Sequence, residues 1–150
     1  MKELKTRHCS YLAALLFLPG LAHGQAKAIA TAETNMKATA EITECKRKEG
    51  VLTIKVRFKA TADTSLELPY AETYVITPSS GKKYEVLRDS DKNPIATTQP
   101  LYGNMVQQNL KNGDTFTAWW KFPAPPPETK KITLSLPKTE PFEDVPITDQ

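Results

Sequence analysis

The chain has only two histidines, His8 and His23, and two cysteines, Cys9 and Cys45. If its first 24 residues are an export signal, the mature chain keeps no histidine and a single cysteine. That scarcity excludes a serine–histidine or cysteine–histidine nucleophile and strips a zinc site of its usual ligands. One cysteine cannot close a disulfide within the chain, so stability has to come from packing. Long apolar runs are missing as well. The best stretch, Tyr11 to Ala22, falls well short of the roughly 20 residues that span a bilayer as a helix, so no membrane span is expected. Charge of one sign is also in short supply. Removing residues 1–24 takes three of the 20 basic and one of the 17 acidic residues, leaving 17 against 16. Such a balance gives no general electrostatic reason to bind nucleic acid, and none is expected as a partner.

The N-terminus reads as a signal peptide over residues 1–24. Lys2, Lys5 and Arg7 form a basic start, Tyr11 to Leu18 an apolar core, and Ala22-His23-Gly24 a small-residue site before Gln25. Cys9 lies ahead of the apolar core, where no acylated lipoprotein cysteine stands. The expected location is therefore periplasmic or secreted. Residues 25–36 are rich in alanine and threonine without apolar period or turn residues, and are read as a flexible linker. The remainder, 37–150, is long enough for one ordinary core and is read as one domain.

From Lys37 onward the hydrophobic period is two. Leu52, Ile54, Val56 and Phe58 alternate with Thr53, Lys55, Arg57 and Lys59, which is the pattern of a half-buried strand. Phe116, Ala118, Trp120 and Phe122 alternate with Thr117, Trp119 and Lys121, and Ile132, Leu134 and Leu136 with Thr133 and Ser135. Turn chemistry falls between such runs at Glu49-Gly50, Ser80-Gly81, Asp91-Lys92-Asn93-Pro94 and Asn112-Gly113. Asn112-Gly113 suits a primed turn joining Met105–Leu110 to Thr115–Phe122 as a hairpin. Seven strands are expected, near 38–47, 51–59, 72–77, 83–88, 104–110, 115–122 and 131–136. This spacing predicts an antiparallel β-sandwich, with a small closed barrel as the alternative. PFEDVPI, 141–147, carries enough apolar area to dock on the domain or to form an edge strand.

The segments VLTIKVRF, SSGKKYEVLRDSDKNPIA, FTAWWKFPAPPPETKKITLSLP and PFEDVPI resemble a loose family of secreted bacterial domains, some of which stand beside peptidoglycan-binding domains of the outer-membrane-protein-A type. The resemblance covers most of residues 42–148. It implies an immunoglobulin-like sandwich of about seven strands in a cell-envelope setting, and it brings no catalytic residues. Cys45 stands where relatives tend to have an apolar residue, and no appended peptidoglycan-binding half is expected.

Several patterns could carry chemistry. Asp89-Ser90-Asp91-Lys92-Asn93 opens like a calcium loop, but Pro94 and Pro100 occupy the positions that need glycine and glutamate, so a capped turn is the simpler reading. Acidic neighbours such as Glu41 and Glu44, or Glu143 and Asp144, sit in a chain rich enough in acids to make pairs by chance. No enzyme activity, cofactor or metal is expected. Pro123 to Pro127 reads as a stiff loop, with a polyproline ligand as the sharper alternative. Cys45 is either a small buried hydrophobe or a thiol activated by Lys46, Arg47 and Lys48, and strand parity sets it opposite Ile42 unless a bulge intervenes.

Two surface features remain. Lys55, Arg57 and Lys59, with Lys46, Arg47 and Lys48 across the turn, would make a basic patch or an ordinary solvated sheet face. Alternation turns Trp120 inward and Trp119 outward, where Trp119 is either exposed as an anchor or covered by the C-terminal segment. The chain is therefore expected to act without catalysis, as an exported binding or accessory module of the cell envelope. Trp119, Tyr102 or Tyr84 would anchor an envelope protein or cell-wall component, with Lys55 and Arg57 supplying charge. The alternative is an inhibitor or immunity-type protein that inserts a loop near 89–104 into an exported hydrolase.

Overall fold

A computed structural model describes residue 24, residues 26–97 and residues 103–150 of the chain. Among them the period-two pattern becomes eleven strands: β1 (Ala30–Glu33), β2 (Ala38–Lys48), β3 (Val51–Ala60), β4 (Thr64–Pro69), β5 (Tyr74–Ile76), β6 (Lys83–Glu85), β7 (Met105–Leu110), β8 (Thr115–Pro123), β9 (Lys131–Ser135), β10 (Phe142–Pro146) and β11 (Thr148–Asp149). One 3-10 turn, Tyr70–Glu72, precedes β5 and shortens the strand expected there. The main sheet runs β1-β2-β3-β8, with β11 also on β2; a second runs β10-β9-β5-β6, and β4 and β7 pair as a ribbon. Every pairing is antiparallel except the two-residue contact of β11 with β2. The fold is all-β and sandwich-like. No helix among the described residues is long and apolar enough to cross a membrane.

Three departures from the sequence expectation have physical reasons. The segment 25–36, expected to be a flexible linker, contains β1, which pairs with β2 and buries Ala32, while Met36 is also in the core. Alanine and threonine give too weak an apolar period to signal this strand. Asn112-Gly113 does not close a hairpin between paired strands, because β7 pairs with β4 and β8 with β3. The turn there is closed by Asp114 N–H donating to the Lys111 carbonyl, and only its glycine takes a positive φ, 86°. That is the backbone of an unprimed turn carrying the chain from one layer to another. The ribbon strand β4 is the third, with Leu66 and Leu68 as its only large inward residues. By contrast Glu49 and Gly50 both have positive φ, 48° and 79°, as a primed two-residue turn between β2 and β3 demands.

The register of β2 on β3 slips between Ile42 and Glu44, so Thr43 is an extra residue in β2. This bulge resets parity: Ile42 and Cys45 both face inward, opposite Val56 and Ile54. It also turns Arg47 inward, opposite Leu52, and sends Lys46 and Lys48 outward. A single buried cluster takes Ile42, Leu52, Ile54, Phe58, Trp120 and Phe122 from the main sheet, Val75, Ile132 and Leu134 from the second, and Leu66 and Val106 from the ribbon. Complete burial of each such side chain contributes about 1.5–3 kcal/mol, and these contributions hold the layers together.

Both lateral openings of the layers are bridged by backbone. On one side Leu87 N–H donates to the Lys121 carbonyl, Lys121 N–H to Ile95 and Thr97 N–H to Trp119, so the chain beyond β6 lines the edge of β8. On the other, Glu140 N–H donates to Glu33 and Asn35 N–H to Lys138, tying β1 to the segment before β10. The C-terminal segment is an edge strand, β10, paired with β9 in the second sheet, before β11 crosses to β2.

Arg47 fixes that crossing. Its Nη1 donates to the carbonyls of Pro125 (3.1 Å), Pro126 (2.6 Å) and Thr129 (3.1 Å), and Nη2 to that of Pro127 (3.1 Å). Nε and Nη2 grip the Asp149 carboxylate at 2.6 and 3.0 Å. Prolines supply carbonyls without competing N–H donors, so a proline loop suits a guanidinium with several donors to satisfy. Replacing Arg47 by Leu would orphan these carbonyls and release β11; we expect a loss of about 2–3 kcal/mol by urea unfolding. The hydrogen bonds from Arg47 hold the Asp149 carboxyl below the usual carboxylate range. Its folded value being depressed, the stability it contributes is complete above about pH 4 and lost as pH falls through the lowered value. In melting temperatures measured from pH 7 to pH 2, Asp149→Asn should be less stable than wild type at neutral pH, with the gap closing in acid.

Cys45 is almost wholly buried, and burial pushes its thiol up to about 12 against the opposing pull of Arg47. The reading of an activated thiol is thereby overturned. At pH 8 only about one Cys45 in ten thousand would be ionised even if reached. A disulfide reagent should label the native protein no faster than it unfolds, and reductant should leave the melting temperature unchanged.

Candidate functional site

Because β2, β3 and β8 pair in register, their outward residues form rows across the main sheet. Glu41, Arg57 and Thr117 make one row, Glu44, Lys55 and Trp119 the next, then Lys46, Thr53 and Lys121, and last Lys48, Val51 and Pro123. Trp119 is half-buried on this outer face, directly across from Lys55. Its backbone is held from the far side by Thr97, whose Oγ1 accepts from Trp119 N–H at 2.8 Å and whose N–H donates to the Trp119 carbonyl at 2.8 Å. The C-terminal segment runs in the second sheet and on the opposite edge of the main one, so the docked-tail reading of Trp119 is not what the fold builds.

The basic residues are partly neutralised in place. Arg57 donates through Nε at 2.9 Å to Glu41, and Lys55 and Lys46 each stand 3.3 Å from the same oxygen of Glu44. An acid on β2 thus answers each of Lys55 and Arg57, a pairing that residue order alone did not reveal. Arg47 leaves the expected basic patch altogether, since it faces inward. Lys121 enters it instead, between Trp119 and Pro123 on β8. Lys48 and Lys121 make no ion pair among the described residues and, with Glu49, Val51 and Thr53, line a cleft of ≈ 230 Å³ at the hairpin end of the face.

The other candidates fall elsewhere. Tyr84, expected as an exposed anchor, is buried in the second sheet opposite Val75, with the Lys82 ammonium 5.0 Å from its ring centre. The tyrosine half exposed on that sheet is Tyr74, 4.3 Å below Lys83. Tyr102 and residues 98–101 lie outside the described residues, as does the signal segment up to 23. Asp89 accepts from the N–H groups of Asp91 and Asn93, so its carboxylate caps its own turn, and these bonds lower its pKa. The loop of the inhibitor reading is closed on itself here and paired to β8 at 95–97. Asp63 holds the β7–β8 turn through Lys111 Nζ and Asn112 N–H, both at 2.9 Å. Comparison with protein-family models, curated proteins and solved structures finds no match for the chain.

The two tryptophans are the only ones in the chain, and their environments differ in a way fluorescence reads. Trp120 is fully buried, and its indole N–H has no hydrogen-bond partner among the described residues. Trp119→Phe should leave blue-shifted emission protected from acrylamide, and Trp120→Phe emission that acrylamide quenches. The reverse pattern would mean that β8 is turned over. In urea, Trp120→Ala should cost about 3–5 kcal/mol and Trp119→Ala markedly less.

Proposed function

We propose that this chain is an exported, non-enzymatic binding module of the bacterial cell envelope, immunoglobulin-like in arrangement, that holds its partner on the outer face of the main sheet. Trp119 is the observation that carries the reading. A large aromatic left half-buried on the outer face of β8, the last strand of the main sheet, costs solubility and offers an anchor. Lys55 and Arg57 flank it and, being tied to Glu44 and Glu41, present fixed polar groups with less rotamer entropy to lose on binding. The signal-like N-terminus supports export, and the resemblance of VLTIKVRF and FTAWWKF to secreted bacterial domains supports the envelope setting. A partner of this kind is an envelope protein or a cell-wall component.

The test is capture from an envelope extract with wild type, Trp119→Ala and, as a control on the opposite sheet, Tyr74→Ala. We expect Trp119→Ala to lose at least one component that wild type and Tyr74→Ala both retain, with all three melting within a few degrees of one another. Equal recovery of every component by all three would remove the outer face as the binding surface.

A further inference from the structure

We infer that the hairpin end of this face is a site for an anionic glycan: an acidic group seats among Lys46, Lys48 and Lys121 over Thr53, and the adjoining sugar ring lies on Trp119. The inference rests on the proposed binding role of that face and names the ligand chemistry for it.

The argument begins with where charge has been put. The chain beyond residue 24 is nearly balanced, 17 basic against 16 acidic residues. Around Thr53, however, four lysines (Lys46, Lys48, Lys55 and Lys121) stand against Glu44 and the turn residue Glu49. Register fixes their spacing. Lys46 and Lys121 flank Thr53 from the two neighbouring strands, and Lys48 lies one row further on. Strands about 4.8 Å apart put these backbones about 10 Å from each other across Thr53, a width that long flexible ammonium stems close around one oxyanion. Lys48 and Lys121 have no carboxylate partner among the described residues, and Thr53 lines the cleft beside them. A multivalent acid held by several side chains fits such a cleft better than a buried apolar anchor does.

The polymer carrying the acid follows from the rest of the surface. Protein interfaces deplete lysine and glutamate from their centres in favour of apolar and aromatic groups, yet here Trp119 is surrounded by Lys55, Lys121, Thr117 and Glu44. A sugar ring needs little apolar area. Its C–H face packs on one indole while its hydroxyls stay with water, threonine and charged groups, which is what the rows beside Trp119 supply. Two residues along β8 from Trp119 to Lys121 span roughly 7 Å on one face, about one sugar unit from the ring to its acidic substituent.

The test is a titration of the purified protein at low ionic strength with dextran sulfate, neutral dextran and polyglutamate, followed by tryptophan fluorescence and calorimetry. Dextran sulfate should bind saturably, weaken as salt is added, and perturb the emission that Trp119→Phe removes. Lys48→Ala/Lys121→Ala should weaken it about ten-fold, the equivalent of two exposed charge contacts. Glu44→Gln releases Lys46 and Lys55 and should tighten it, which a merely structural Glu44 would not do. Circular dichroism and melting temperature verify that each variant is folded. Absence of saturation by about 1 mM dextran sulfate, equal binding by the double lysine variant, or polyglutamate binding as tightly as dextran sulfate would each overturn the glycan site. If it is overturned while Trp119→Ala still loses a captured envelope component, the binding face stands with a different ligand; if that loss is also absent, both readings fall.

Discussion

One extra residue in β2 sets the chemistry of both faces of the main sheet. The bulge at Thr43 resets the alternation, so that the four residues after Glu44 divide as Cys45 and Arg47 inward, Lys46 and Lys48 outward. Without it Cys45 and Arg47 would face water, and the Glu44 carboxylate and Lys46 ammonium would be driven toward Ile54 and Leu52, at a desolvation cost the core could not absorb. With it, the one cationic group that goes inside is the one able to satisfy many acceptors at once. Arg47 gathers the carbonyls of the proline loop and the carboxylate of Asp149, and so joins β2, the β8–β9 connection and the C-terminal strand at one point.

The same reset concentrates positive charge outside. Lys46 and Lys48 come into line with Thr53 and Val51, and through them with Lys121 on β8. Nearer the middle of the face, acids on β2 hold Arg57 and Lys55 still, which keeps like charges on β3 from repelling one another while leaving Trp119 between ordered polar groups. The face is thus graded: paired charges near Arg57, an aromatic at Trp119, and at the hairpin end Lys48 and Lys121, which make no ion pair among the described residues. Edges that would otherwise invite pairing with other chains are lined by the chain's own segments at 87–97 and 138–140.

Much of this architecture was legible. Strong alternation over 51–59 and 115–122 placed Ile54, Phe58, Trp120 and Phe122 inside, because a period of two admits one arrangement once the apolar side is known. Glu49-Gly50 and Ser80-Gly81 marked turns whose backbone needs residues tolerant of positive φ. Strands built from alanine, as in β1, or from two leucines, as in β4, gave too little apolar contrast to be seen. Asn112-Gly113 misled because a turn signal states that the chain reverses, not that the strands on either side pair. Tyr84 misled because a tyrosine suits core and surface alike, and only Val75 across the pair shows which it is.

What the sequence determined by itself was local and periodic: strands, most turns, the inward set of β3 and β8, and the poverty of groups for nucleophilic or zinc chemistry. Each of these depends on neighbours along the chain, where spacing is fixed by covalent geometry. The tertiary structure alone decided which strands pair, the residue at which β2 bulges, and therefore that Arg47 is a buried clamp, Cys45 an inert thiol and Lys121 a neighbour of Lys46 across Thr53. The bulge depends on register between the neighbouring strands β2 and β3, and the rest on contacts between segments about 50 to 100 residues apart; both are chosen by the burial and hydrogen bonding of the whole assembly, which no single segment contains.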